Sequence, residues 1–514
     1  PEADALATQA RLTLRGAADR AGSLGSHAQE LGFLEQALEL AVDPADRAAL
    51  QERAAAAAHL AARVEIAANH LERARTWYET QGDQEGVVRV ALAQGRLLID
   101  QGQPASATRA MEVGVAAGQA AASASAYPAL LAELSRAYSF TDDPRALETA
   151  DRALELAEAR GIPAAVAEAL VNRALALSMS HRTAEPEALL RGVIHFAERH
   201  GLSRSSMRAI NNLASGIFLD DPREAAELAR QGAELARRLG DRVWLLQFID
   251  GRASELTVIG EWDEALRLEH ELDGLDLPPA AAVATAEDLA FLEALRGDAE
   301  QAWARFMAVE ALRASLEDAR GEGSRLLVET QLLALQGRLA QAYDAALAGA
   351  RRTDPAVFPN SLWAVRIALW LGDRERARMP LEINLAFPVQ GRFVDANRLA
   401  MQAGVLAMDG DVDGALAAYR ESERLHRALD MPFPLSMMLM EAGTVLDPGI
   451  PAVAAAAVEA RAILERLGSP PLLARLEAML ETQAARFGGQ PPRAAQPPGA
   501  ATDPATHEAS SSRP

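Results

Sequence analysis

The chain has 514 residues, a formal charge of −21 and a pI near 5.0. That balance repels phosphates and anionic lipid over most of the surface, and so argues against a nucleic-acid or membrane-surface role for this region. There is no cysteine and all 51 basic residues are arginine, which removes thiolate nucleophiles, cysteine-held metals, phosphate-loop lysines and Schiff-base lysines together.

Aromatic residues make only 4% of the chain against a hydrophobic total of 49%. Alanine fills the difference, and because each alanine buries little area, stability has to accumulate over many contacts. Pro1 leads straight into a helical pattern from Leu6 to Ala21, with no starting methionine and no secretory signal, and reads as a continuation of upstream sequence. The longest uncharged run, Val113 to Ala132, is interrupted by Gly114, Gly118 and Pro128 and does not read as a membrane span.

From there one unit repeats. Its punctuation falls near Gly25, Ala62, Gly102, Asp142, Thr183, Asp220, Gly260, Gly297, Gly337, Gly372, Gly410 and Gly449, at intervals of roughly 35 to 42 residues. The stretch DDPREAAELARQGAELARRLGD shows the logic. Asp220-Asp221-Pro222 supplies a cap and a first-turn proline. Leu228, Leu235 and Leu239 share a helical stripe with Ala225 and Ala229, and Gly240 is suited to the left-handed stop. Each punctuation point is the turn of a helical hairpin.

About five residues later comes a small residue: Ala67, Ala107, Ala146, Ala188, Ala225, Ala265, Ala302, Ala342, Ala377, Ala415 or Ala454. A larger one such as Leu34, Leu71, Met111, Phe306, Tyr419 or Val458 follows four positions on. This pairing lets two helices cross closely. The second helices stop at Gly82, Gly161, Gly201, Gly240, Pro278-Pro279, Gly321, Pro355, Pro388, Pro432 and Gly468. No run alternates with period two, so no strands are expected.

These features predict an all-α, tetratricopeptide-like superhelix of about twelve hairpins over residues 1–487, each touching only its neighbours and together presenting a long groove. Pro380 should kink or delay the second helix of the tenth hairpin. Gly114 to Ser125 should weaken that of the third. After Phe487 the sequence becomes rich in proline, glycine and serine without apolar periodicity, and 488–514 is read as a disordered tail.

The opening LRGAADRAGSLGSHAQELGFLEQALELAVDPADRAAL resembles the helical-repeat region of large bacterial signalling proteins. RAINNLASGIFLDDPREAAELARQGAELARRLGD and EARAILERLGSPPLLARLEAML resemble it too. In those proteins a class III adenylate/guanylate cyclase domain, or another regulatory domain, precedes an AAA-type signalling ATPase and then the repeats; some relatives are LuxR-type regulators. The resemblance implies a cytoplasmic regulatory arm. It carries no catalytic residue across: there is no GxxxxGK[ST] loop, no recognisable cyclase aspartate pair and no terminal helix-turn-helix.

The polar residues of most interest lie within first helices. Asn172 and Asn212 each follow a helix-ending glycine by eleven residues, flanked by Arg173 and Asn211. Asparagine is a poor mid-helix residue, so its repetition implies a hydrogen-bonding task. Two tasks fit: holding a protein or peptide partner in the concave groove, or tying neighbouring repeats together in a ladder. Arg252, Arg366 and Asn397 form a weaker case of the same kind. His195 and His200, five apart, do not share a helical face as metal ligands do. The acidic pairs Asp142-Asp143 and Asp220-Asp221 read as caps, and Trp244, Trp262, Trp303, Trp363 and Trp370 mostly as core. No catalytic, cofactor or metal set can be named. The expected function is non-enzymatic protein binding, with a small-molecule effector enclosed by the superhelix as the alternative.

Overall fold

A computed structural model of the chain describes residues 2–487 apart from 121–124, 181, 276, 278 and 317–320; the expected tail, 488–514, lies outside the described residues. Every regular element among them is a helix. The first six hairpins pair α1 (Glu2–Ser23) with α2 (His27–Glu39), α3 (Pro44–Leu60) with α4 (Val64–Gln81), and α5 (Gln84–Asp100) with α6 (Pro104–Ala120). They continue with α7 (Tyr127–Phe140) and α8 (Ala146–Ala159), α9 (Pro163–Met179) and α10 (Ala184–His200), α11 (Ser203–Ile217) and α12 (Pro222–Leu239).

The second six begin with α13 (Arg242–Ile259) and α14 (Trp262–Leu272), α15 (Pro279–Arg296) and α16 (Ala299–Ala308), the latter followed by the short α17 (Glu310–Ala314). Then come α18 (Gly321–Leu335) with α19 (Leu339–Ala350), α20 (Val357–Leu371) with α21 (Arg374–Ala386), α22 (Arg392–Met408) with α23 (Val412–Ala428), and α24 (Pro432–Val445) with α25 (Pro451–Leu467). A last helix, α26 (Pro470–Phe487), closes the stack.

The capping chemistry is as the sequence implies. The Asp221 carboxylate accepts from the Glu224 amide, and Gly240 ends α12 at φ 70°. At hairpin turns the same left-handed conformation is taken even by Ala62 and Asp142. The alanines of the crossing signature are buried at Ala67, Ala107, Ala146, Ala225, Ala265, Ala302, Ala342, Ala377 and Ala415. Two positions differ. Ala188 is exposed, its place taken by Pro186 with Leu190, and in the last hairpin Val453 and Ala457 are buried while Ala454 is only half-buried and Val458 exposed. In both, the buried stripe is out of step with the count from the turn residue.

Two expected irregularities are absorbed. α21 runs through Pro380. Proline cannot donate to the carbonyl one turn back, that of Arg376, and the Tyr343 hydroxyl donates to it instead at 2.8 Å. α6 is regular to Ala120. Its Gly114 and Gly118 are not weak points but close contacts, where a side chain would collide with Ala91 and with the Tyr127 ring; the rest of the expected weak stretch, 121–124, lies outside the described residues.

Successive first helices pack on one another (α5 on α7, α7 on α9, α9 on α11, α18 on α20, α20 on α22, α22 on α24), whereas successive second helices, α19 and α21 excepted, stand apart. First helices therefore line the inner side of the superhelix. In the second half this winding closes on itself, contrary to contact between neighbours only. Arg392 bonds Asp220 and Asp221 across 172 and 171 residues, and the Val394 amide donates to the Leu219 carbonyl. The Trp262 and Phe433 rings meet edge to face at 5.1 Å. Ser469 donates to the Leu295 carbonyl at 2.7 Å and Arg296 to that of Leu467 at 2.8 Å.

The turn of the sixth hairpin thus lies on the start of the eleventh, that of the seventh on the twelfth, and that of the eighth on α26. One continuous core runs from Ala226 to Leu480. Inner helices α20 and α24 bury twelve of fifteen and twelve of fourteen residues, so their own neighbours fill the space where a groove would run.

Gly391 sits at this seam with φ 142° and ψ 156°, a region open to glycine alone, and a Cβ there would run into the Leu219 carbonyl. Gly391→Ala should lower the melting temperature sharply, by about 2 kcal/mol or more of stability. Ala62→Gly, at φ 58°, should raise stability by roughly 1 kcal/mol. Thermal melts of the two variants check both signs.

Candidate functional site

The inner helices of the first half carry a row of charges in an alanine-rich setting. Glu133 on α7 is buried among Arg208 of α11, Arg136 of its own helix and Arg96 of α5, with nitrogen–oxygen distances of 3.5, 3.7 and 3.5 Å. Burial alone would raise its pKa; the three guanidiniums outweigh that and take it down to about 2. Arg208 is also paired with Glu168 of α9, and burial lowers it to about 10, still cationic at neutral pH. Towards α1 the row becomes half-exposed, with Arg53 beside Asp19, Arg89 beside Glu52, and His59 and Arg136 beside Asp100.

Asn172 is part of this row. Fully buried, it donates to the Ala132 carbonyl of α7 at 2.7 Å and accepts from Arg208 at 2.7 Å. The same bond recurs wherever an inner-helix amide reaches the preceding inner helix: Asn360 donates to the Gly323 carbonyl at 3.1 Å, and Gln483 to that of Thr444. This is the ladder arrangement. Arg173, one residue on, faces the opposite way and pairs with Asp151 of α8 and Glu185 of α10 at 2.8 and 2.6 Å. Asn211 and Asn212 are half-buried on α11. The four residues expected to hold a partner are therefore not gathered on one surface, and Asn172 has no side-chain surface to offer.

In the second half Arg366 is buried against Glu441 and stacks over Trp363 at 5.0 Å. The partners of this pair are 75 residues apart, as are those of the Arg208–Glu133 pair. Each pair reaches across one intervening inner helix. Asn397, on the helix spanned, bonds its own Phe393 carbonyl, and Arg252 pairs with Glu264 at 3.0 Å.

At the start of the closed half lies a group that the sequence reading missed. Glu269 of α14 is fully buried with both carboxylate oxygens unpartnered. Burial first, then the neighbouring Asp288, Asp250 and Asp273, push its pKa up to about 10. Burial and Asp288 raise Asp250 to about 7, and burial raises Glu255 to about 8. Asp288 reaches about 6, held back by the Ser254 hydroxyl. The signal was present in the sequence. Glu269 shares a helical stripe with Ala265, Leu268 and Leu272, where an apolar residue belongs.

His195 and His200 are exposed, and among the described residues no three His, Asp or Glu are placed to hold a metal ion. Asp143 caps the Arg145 amide at 2.9 Å. Asp220, read as a cap, bonds Arg392 across the seam instead. Trp262 and Trp363 are buried, while Trp244, Trp303 and Trp370 are half-buried. No helix among the described residues is long and apolar enough to cross a membrane.

No family model and no curated protein matches the chain. Solved structures similar to it include the APC/C hetero-tetramer Cut9–Hcn1, with 13% identity over 93% of this chain and 94% of that one and a TM-score of 0.49. Yeast Tom70 has 13% identity over 94% and 96%, with a TM-score of 0.32. The Saccharomyces cerevisiae separase–securin complex has 9% identity over 88% of this chain, with a TM-score of 0.42; the match spans 38% of that chain. The helical hairpins described above, stacked through their first helices, make the expected all-α, tetratricopeptide-like superhelix on their own geometry.

Asn172→Ala should cost about 1–3 kcal/mol, because it leaves one buried N–H of Arg208 without its acceptor; Asn212→Ala should leave the melting temperature nearly unchanged. The acidic group gives a pH signature. Its folded pKa values lie above those of the unfolded chain, so the fold holds protons that unfolding releases. Its contribution is fully present below the ordinary carboxylate range and is lost as pH rises through about 6, 7, 8 and 10. Glu269→Gln should raise the melting temperature more at pH ~9 than at pH ~5, flattening the wild-type decline.

Proposed function

We propose that the chain is a non-enzymatic, protein-binding scaffold whose binding surface is the concave face of its first half. The observation that carries this is the half-exposed row from Asp19 to Arg136. Arg53 pairs with Asp19, Arg89 with Glu52 at 3.0 Å, His59 with Asp100 at 3.0 Å and Arg136 with Asp100 at 3.9 Å, and all lie on inner helices whose counterparts in the second half are covered by their own neighbours. Half-exposed pairs of this kind contribute only about 0–1 kcal/mol each, so a partner's charged side chains can replace one member at little cost. The row alternates in sign, which suits a protein or peptide segment of mixed charge better than a polyanion.

We further propose, on the sequence resemblance, that the scaffold is the cytoplasmic regulatory arm of a bacterial signal-transduction protein, linked to a cyclase or a signalling ATPase. Partner binding would favour one curvature of the first half over another and so bias the attached domain. An in-frame ATPase or cyclase domain encoded ahead of Pro1 is the expected finding. A start codon directly before Pro1 would defeat the arm and leave a free-standing adaptor.

The binding surface is tested by placing a photo-crosslinking residue at position 96, and for comparison at position 237 on the outer helix α12, in the source cells. Adducts should form from position 96 only. Arg89→Ala and Arg136→Ala should each reduce them about three- to tenfold, and added salt should do the same. Equal labelling from both positions, or labelling indifferent to the substitutions, would rule out the concave row.

A further inference from the structure

The closed half keeps one opening. Where the C-terminal ends of α18, α20, α22 and α24 meet the side of α26, they leave a cleft of about 740 Å³. The residues around it run against the composition of the chain. Acids outnumber bases 72 to 51 overall, yet the lining holds Arg374, Arg475 and Arg486 and not one carboxylate.

Of these, Arg374 is paired with Asp409, which lies outside the cleft. Arg475 has no ion pair among the described residues. It stacks over the Trp370 ring at 4.6 Å and makes one long bond, 3.5 Å, to the Ala334 carbonyl. Burial pushes its pKa below the ordinary guanidinium value, with no nearby acid to restore it. The buried Arg208 and Arg366 each have a carboxylate, and the partly buried Arg398, which has none, is held by oxygens of Asn384, Phe387 and Val389; Arg475 has neither, so an anion would lower the cost of its burial.

Two more polar atoms of the cleft residues are unsatisfied. The Trp370 indole N–H is buried without an acceptor. Gln483 spends its amide N–H on the Thr444 carbonyl, and its Oε1 is buried without a donor. Buried polar atoms are nearly always partnered; here the indole N–H belongs to the ring that Arg475 covers, and the Gln483 oxygen to another residue lining the same cleft. The complement has an anionic group for Arg475, an acceptor for the indole N–H and an N–H or O–H for the Gln483 oxygen. Its flat or apolar portion would lie against Met408, Met479 and the ring.

We infer that this cleft is a binding site for a small organic anion, a carboxylate or phosphate ester that also carries a hydrogen-bond donor, anchored by Arg475, Trp370 and Gln483. The site lies in the opposite half from the concave row and does not depend on it. The cleft is built from the closing elements of the wound half, α24 and α26 packed against α18 and α20. A ligand there stabilises the closed winding by mass action, as any ligand specific to the folded form does.

Anilinonaphthalene sulfonate, a flat anion with an N–H, is the probe. Titrated against the full chain, it should bind saturably with one site. Benzoate or phenyl phosphate should displace it and benzylamine should not, the better displacer of the first two identifying the anion. Arg475→Met should weaken binding about tenfold or more, as expected for one charge-assisted hydrogen bond. Trp370→Phe, which keeps a ring and removes the N–H, should weaken it about threefold. Arg237→Met, on the outer surface, should change nothing. Unsaturable binding, displacement by benzylamine, or unchanged affinity in Arg475→Met at the wild-type melting temperature would overturn the site. Should Arg475→Met fail to fold, Trp370→Phe decides by the same criterion.

Discussion

The closeness of successive inner helices governs this structure. A side-chain amide of α9 reaches a backbone carbonyl of α7 at 2.7 Å because the residues around it, Ala132 and Ala169, are small and share one buried cluster. When inner helices touch and outer helices do not, the stack must curve. The tighter the inner contact, the fewer hairpins complete a turn. Here the second half completes one in about 172 residues, and the inner radius shrinks until α20 meets α24 across the axis. Alanine, selected at each crossing for its size, therefore decides whether the superhelix holds a groove or a core.

That geometry also explains where charge is buried. Where inner helices pack closely on one another, in either half, a buried polar residue must find a partner on another inner helix. Arg208 with Glu133, and Arg366 with Glu441, each do so across a separation of 75 residues. Replacing such pairs with apolar residues can be neutral or stabilising, whereas removing one member is costly. Their effect is to fix which inner helices lie two repeats apart, which sets register as much as stability. Glu269 has no such pairing; burial and the neighbouring acids raise its pKa to about 10, so it meets the same problem by remaining protonated at neutral pH.

Much of the architecture could be read from residues with one strong local reason to be where they are. Gly82, Gly161, Gly201, Gly240 and Gly468 are stops because glycine adopts the left-handed conformation freely. Ala67, Ala107 and Ala265 mark crossings because a small, fully buried side chain lets two helices approach closely. Counting from such markers fails where the buried stripe shifts against the turn, as at Ala188 and Val458. The closure was not legible, because nothing local distinguishes Arg392 or Ser469 from any exposed arginine or capping serine; their partners lie 171 to 174 residues away. The asparagines were found for the right reason, their cost in mid-helix, but the direction of each side chain depends on a neighbour the sequence does not name. Asn172 turns inward to Arg208, and Arg173 turns outward to Asp151 and Glu185.

The two halves consequently differ in how they can respond to a ligand. In the first, hairpins couple chiefly to the next in line, so strain at one crossing spreads as a gradual change of curvature. In the second, contacts across the seam join the sixth to the eleventh hairpin and the eighth to the last helix, so no single crossing can relax without breaking bonds a full turn away. A partner on the first half therefore works against soft, near-neighbour terms, while anything bound within the second works on a unit that stays wound or opens as a whole. A superhelix with one compliant half and one locked half can pass on a change of curvature without dissipating it along the entire array, because the locked half gives the compliant one a fixed end to bend against.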